Sequence, residues 1–217
     1  MRSSVSCARR AYWLFHAVPT TRPRTVITAF TAIPICSRRG RSNVVQRAPS
    51  KCGSPTPTQG ACAYLSLITD MWSRRIVGYH VHDTLQTHQV SQALKMALKT
   101  RQTRQALIHH SDRGIQYCSD AYQQLHRRHG ITCSMTDGYD CYQNALAERV
   151  NGILKNEFLL HRPADIEQAR RMVSESVKIY NQQRPHLSLK MKTPDEVQRA
   201  SIARINQSEN LRSQVST

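Results

Sequence analysis

Acidic residues are missing from the first 69 positions: all 14 Asp and Glu lie at or after Asp70, whereas 10 of the 31 Lys and Arg precede it. That stretch carries +10 of the formal net charge of +17, and the other 21 basic and 14 acidic residues leave +7. An excess of this size is silent about fold but favours a polyanionic partner. No apolar run approaches the ~20 residues of a membrane-spanning helix, so no membrane partner is expected. No C-x-x-C pair occurs among the seven cysteines, and their number is odd. Neither a zinc ribbon nor a disulfide framework is supported, and a reducing cytoplasm is the expected compartment. Apolar residues make up only 39% of 217, somewhat under the ~45–50% of globular chains. One domain with extensions fits that length; two full domains do not.

Proline is unevenly spread, with six of nine in the first 69 positions. Residues 1–60 show no sustained period of 2 or 3.6, only apolar bursts (Ala11 to Val18, Val26 to Ile33) between Pro, Arg and Ser clusters. They read as an irregular basic segment. The opening Met1-Arg2-Ser3-Ser4 with Arg9 and Arg10 resembles an organellar transit peptide, a composition that any unselected basic stretch also produces.

From Ala61 the pattern becomes regular. Ala63 to Thr69 alternates, Asp70 to Ser73 reads as a turn, and Arg75 to Val81 returns, which predicts a hairpin. Thr84 is placed to cap a helix running to about Thr100 on Val90, Leu94, Ala97 and Leu98. A strand over Ala106 to His110, a helix over Ser119 to His129 stopped by Gly130, and a strand over Ile131 to Met135 follow. A long helix is expected from Gln143 to Leu159, and another from Asp165 to Asn181 ended by Arg184-Pro185. The expected layout is α/β, a mixed sheet flanked by helices, with a core over 61–201 and a tail over 202–217.

Two carboxylates stand out. Asp112 follows a strand at the end where α/β proteins place ligands. Glu148 lies on the long helix, off its stripe of Leu146, Val150, Ile153 and Leu154, on a polar face with Asn144, Asn151, Gly152 and Lys155. Carboxylates so placed suit divalent cations in phosphodiester cleavage and strand transfer, in which two ions activate the attacking oxygen and stabilise the leaving one. They equally suit two solvated side chains.

The surrounding words decide between these. Tyr64-Leu65-Ser66-Leu67-Ile68-Thr69-Asp70, Ser73-Arg74-Arg75-Ile76-Val77-Gly78, His109-His110-Ser111-Asp112-Arg113-Gly114-Ile115-Gln116-Tyr117 and Asn144-Ala145-Leu146-Ala147-Glu148-Arg149 occur in order. Leu154-Lys155-Asn156-Glu157, Tyr180-Asn181-Gln182-Gln183-Arg184-Pro185-His186, Leu189, Thr193-Pro194 and Glu196 follow. From about Tyr64 to Ala200 the chain resembles the catalytic half of bacterial insertion-sequence transposases, whose core is similar to retroviral integrase. The resemblance implies a ribonuclease-H-like fold. It implies a DDE site in which Asp112 is the second acid and Glu148 the third, binding Mg²⁺ or Mn²⁺. DNA, both transposon ends and target, is the implied partner. Lys155, Asn144, Asn151, Arg149 and Arg184 are the implied DNA contacts, and Lys155 looks like the integrase-type lysine at the transposon end. A homo-oligomer on DNA, nucleoid-associated in a bacterial cytoplasm, follows from the same likeness. His109 and His110 are expected to line and support the site rather than ligate metal.

The family's first acid, on the first strand in a Trp-x-x-Asp-x-Thr-Tyr context, has no counterpart. Its place holds Lys51-Cys52-Gly53-Ser54-Pro55-Thr56-Pro57-Thr58. Asp70 corresponds to a turn acid away from the metal site. Read from the third base of the Lys51 codon, the degenerate codons of this stretch permit Val-Trp-Val-Ala-Asp-Thr-Tyr. That suggests a frameshifted start; a divergent DNA-binding extension is the rival reading. The first strand is therefore expected to be missing or degraded. Three functional readings remain: a strand-transfer enzyme impaired by loss of its first Asp, an inactive DNA-binding remnant, or a chain that does not fold stably.

Overall fold

A computed structural model describes residues 25–35, 63–103, 105–135, 145–161 and 163–215. Five strands form one sheet in the order β3-β2-β1-β4-β5: β1 (Thr25–Ile35), β2 (Ala63–Asp70), β3 (Ile76–His82), β4 (Leu107–Ser111) and β5 (Ile131–Met135). β1 to β3 pair antiparallel, whereas β4 pairs parallel with both β1 and β5. The helices are α1 (Thr87–Lys99), α2 (Ile115–Cys118), α3 (Asp120–Arg128), α4 (Ala145–Ile153), α5 (Ile166–Gln182) and α6 (Pro194–Val215).

Alternation along β2 divides the core into two layers. Leu65 and Leu67 join Ile76, Val81, Val150, Leu154, Val173 and Tyr180 on the face covered by α4 and α5. Ile68 joins Ile27, Val90, Leu94, Leu107, Tyr117 and Tyr122 on the face covered by α1, α2 and α3. Gly78 lets α1 approach β3, since a Cβ there would stand 2.1 Å from the Ala93 carbonyl oxygen.

The hairpin, α1, β4, α3, β5 and α5 fall where the sequence predicts them, and Gly130, with φ 61°, ends α3 as expected. Four expectations are corrected. The central strand is present: Thr25–Ile35 lies between β2 and β4, inside the segment read as irregular. Seven of its eleven residues are β-branched, and a strand flanked on both sides need not alternate, so periodicity missed it. Thr84 does not cap α1; its carbonyl accepts from the His82 ring and α1 begins after Gln86. The long helix stops at Ile153 and passes into a π-helical turn, Leu154–Phe158, closed by Leu159 N–H donating to the Leu154 carbonyl at 2.8 Å. Finally, α6 extends through the stretch read as a tail. Its start is a capping box: Thr193 N–H donates to Glu196 Oε2 at 2.7 Å, Glu196 N–H donates to Thr193 Oγ1 at 3.3 Å, and Pro194 opens the helix. Lys51–Thr58 lies outside the described residues.

Candidate active site

β4 is buried along its whole length and ends at the residue before Asp112. Leu107 packs in the α1–α3 layer and His109 stacks with the aromatic rings there. The pleat therefore turns His110, and Asp112 one step past the strand, toward the α4 side. Asp112 is half-buried, and its Oδ1 accepts the Gly114 N–H at 3.0 Å. A Cβ at Gly114 would come within 2.9 Å of that oxygen. The glycine thus lets the backbone close around the carboxylate and aim it.

The two histidines before it are structural, as expected. His109 is fully buried, its ring centroid 4.9 Å from that of His126 and 5.8 Å from that of Tyr122. Burial, with His126 and His110 nearby, holds it well below the usual histidine range, so the ring is neutral. His110 is 2% exposed and its Nδ1 meets Ser134 Oγ at 3.0 Å.

Helix α4 lies against β1, the strand that pairs with β4. Glu148 is thus carried on a helix packed against β1, and Asp112 follows the strand that pairs with β1. Glu148, Arg149 and Lys155 are exposed. Asn151 differs from its expected place on their polar face: it is 9% exposed, because the buried ridge is Ala147, Val150, Asn151 and Leu154. Neither its Oδ1 nor its Nδ2 has a hydrogen-bond partner among the described residues. Asn144 lies outside the described residues.

Arg184 is also placed otherwise than expected. Its Nε and Nη2 donate to the two Glu157 carboxylate oxygens, each at 2.7 Å, and Nη1 reaches the Pro185 carbonyl. Arg184 lowers the Glu157 pKa through this fork, and Glu157 raises that of Arg184. The residue fastens the end of α5 to the π turn. Its neighbours lock the fold in the same way, which sequence reasoning missed. Asn181 Oδ1 accepts from Ile76 N–H at 2.9 Å and its Nδ2 donates to the Ile76 carbonyl at 3.0 Å, so its amide extends the β3 edge like a strand residue. Tyr180 donates to the Arg74 carbonyl at 3.1 Å and meets His186 edge-on, with centroids 5.1 Å apart. Arg74 is held at φ 63° by this turn. A buried Tyr-Asn pair ending a helix was the available signal.

Asp70 behaves as the turn acid it was read as, accepting from the Ser73 N–H and Oγ. It pairs with Ile27, three residues before Phe30, which the β1–β4 register carried two steps on sets beside Asp112. That is ~10 Å along the strands and two strands across.

The DDE arrangement implied by the resemblance would need a further carboxylate on the central strand. Thr25–Ile35 has none. Among the described residues no three His, Cys, Asp or Glu side chains are grouped to hold a metal ion. The described residues therefore do not by themselves make up a two-ion site; Asp137 and Asp140 lie outside them.

The integrase core domain family matches residues 51–141 and, through a second family of the same description, residues 129–194. Both matches begin beyond β1. A 31 kDa protein of insertion element IS600 from Shigella sonnei is 38% identical over 134 residues, 61% of this chain and 49% of that one. A putative transposase of IS986/IS6110 from Mycobacterium tuberculosis is 38% identical over 107 residues, 47% of this chain and 38% of that one. The putative transposase InsK of IS150 from Escherichia coli is 33% identical over 138 residues, 63% and 49% of the two chains. The chain thus spans about half the length of these relatives, or less. Among solved structures, the catalytic core of HTLV-2 integrase in complex with magnesium superposes with TM-score 0.55 at 14% identity, over 82% of this chain and 99% of that one. The core of BIV integrase gives 0.56 at 14%, over 83% and 97%. The fold is therefore ribonuclease-H-like, a mixed five-stranded sheet flanked by helices.

Proposed function

We propose that this chain, which matches the integrase core domain family and is similar to bacterial insertion-sequence transposases, is a DNA-binding transposase core that no longer cuts DNA. The observation that carries this reading is the absence of any acid before Asp70, which leaves the central strand without the first carboxylate of a DDE site. DNA, as transposon end and as target, is the substrate, gripped through phosphates by Arg149 on the exposed side of α4 and by Lys155 in the π turn that follows it. The chain would work as a homo-oligomer on that DNA.

Asp112 and Glu148 would together hold a single Mg²⁺ or Mn²⁺ weakly, through one oxygen or two from each. Magnesium or manganese ions, when bound as a pair, hold the attacking and leaving oxygens of a phosphodiester in line. With Asp112 and Glu148 alone, the described residues lack the oxygens for that arrangement. They also lack the preorganised charge that is usually the largest catalytic term.

The test is donor-strand nicking of a cognate transposon end with Mg²⁺ or Mn²⁺, alongside Mn²⁺ binding followed by electron paramagnetic resonance. The chain as given should cleave at background level, and a version whose first strand carries the family's Trp-x-x-Asp segment should cleave measurably. Weak Mn²⁺ binding should disappear in Asp112→Asn. Cleavage by the given chain that is lost in Glu148→Gln would show that another acid completes the site and would overturn the reading. So would a double variant Asp112→Asn, Glu148→Gln that titrates with Mn²⁺ like the parent.

A further inference from the structure

The C-termini of α1 and α3 meet at one end of the sheet. α1 ends at Lys99 before the chain enters β4 at Leu107, and α3 ends at Arg128 before it enters β5 at Ile131. Between them lies a groove of about 340 Å³ lined by Lys95, Lys99, Arg101, His129 and Leu98. Residues 84–111 and 121–136 contain no acid. The three ion pairs among the described residues all lie elsewhere. Lys95 and Lys99 are exposed, as are Arg127 and Arg128 at the end of α3. Arg101 Nη2 is held by the Gln105 carbonyl, and its Nε–H is buried without a partner among the described residues. Complementing helix dipoles accounts for cations in a last turn, such as Lys99, Arg127 and Arg128. It does not account for Lys95, in the middle of α1, or for Arg101, beyond its end.

We propose that this groove is a second contact for the phosphate backbone of duplex DNA, separate from the Asp112–Glu148 site. It opens at the end of β4 opposite Asp112, ~16 Å away along the strand, and on the other face of the sheet from α4. DNA seated there is therefore a different stretch from any at Asp112. The contact reads no bases: the groove presents ammonium and guanidinium groups at surface height, which suits phosphates and not base edges. The inference rests on the DNA-binding reading above.

Fluorescence anisotropy of a labelled duplex of arbitrary sequence, titrated with the full chain at several salt concentrations, tests it. Each neutralised phosphate contributes about 0.9 to the slope of log affinity against log salt. Lys95→Gln/Lys99→Gln should therefore flatten the slope by about 1.8 and weaken binding at low salt. Lys95→Arg/Lys99→Arg should keep the parent slope. The control is Arg171→Gln/Lys178→Gln, equally exposed but on α5, which should change the slope far less. Equal slopes in the parent and the Gln variant, or an equal loss in the control, overturn the groove while leaving DNA binding intact. A parent that binds no duplex at low salt overturns the DNA reading itself. A Gln variant that melts earlier but keeps its slope shows these lysines to be structural only.

Discussion

The two faces of this sheet are held by different chemistry. On the α4–α6 face the core is aliphatic around Tyr180, and every arginine in a recorded ion pair lies there: Arg75 with Asp195, Arg170 with Glu167, Arg184 with Glu157. On the α1–α3 face the centre is aromatic and titratable, with His109, His126, Tyr117 and Tyr122 packed together, while α1 and most of α3 lack acids. The difference separates motif residues that look alike in sequence. In the three ion pairs among the described residues an acid on the α4–α6 face ties up an arginine, whereas the lysines of α1 have no acid on their own helix.

Removing the aromatic pillar of the α4–α6 face should have the largest effect. Tyr180 is fully buried, and Tyr180→Ala should cost about 3–5 kcal/mol of unfolding free energy in urea titrations. A loss under 1 kcal/mol would mean that this face is not keyed there.

Acid should act chiefly on the other face. Burial holds His126 at about 4, and His109 is also well below its ordinary value. Between pH 6.5 and 4 the unfolded chain takes up protons that the folded chain refuses. Stability from this cluster is thus present above about pH 6.5 and lost on acidification, of order 3 kcal/mol for His126 alone. Denaturant titrations at pH 7, 6 and 5 should show the loss, and His109→Gln/His126→Gln should flatten it. A variant with the parent's pH slope would erase the contrast between the faces.

Asn181→Ala strands the buried Ile76 N–H and carbonyl and should cost about 2 kcal/mol at every pH from 5 to 8. A cost confined to acid pH would point to a titrating partner instead. The smallest effect is expected at the exposed clasp. Arg184 depresses the Glu157 pKa, so its contribution is present above the ordinary carboxylate range and fades as pH falls below it, through the lowered pKa. Glu157→Gln should cost less than about 1 kcal/mol at neutral pH and less still as pH falls toward 3, and 1 M salt should shrink the difference. An undiminished cost at pH 3 would show that packing, not charge, joins these elements.

Sequence alone determined what depends on neighbours along the chain. Alternation fixed β2 and β3, Ser119 and Asp165 capped their helices, and the Asp-Arg-Gly step placed Asp112 at a strand end. The lack of acid before Asp70 is likewise a property of the sequence, and it limits the chemistry before any fold is considered. Tertiary structure decided what depends on contacts between distant segments. Thr25–Ile35 is a strand because β2 and β4 leave an unsatisfied ladder on either side, a demand that nothing within those eleven residues records. Asn151 turned inward because α4 rotates its ridge onto the sheet, and Arg184 became a clasp because the π turn brings Glu157 to it. A side chain's partners are set by the whole packing arrangement. Residue type tells which bonds it can form, and only the fold tells which are already made.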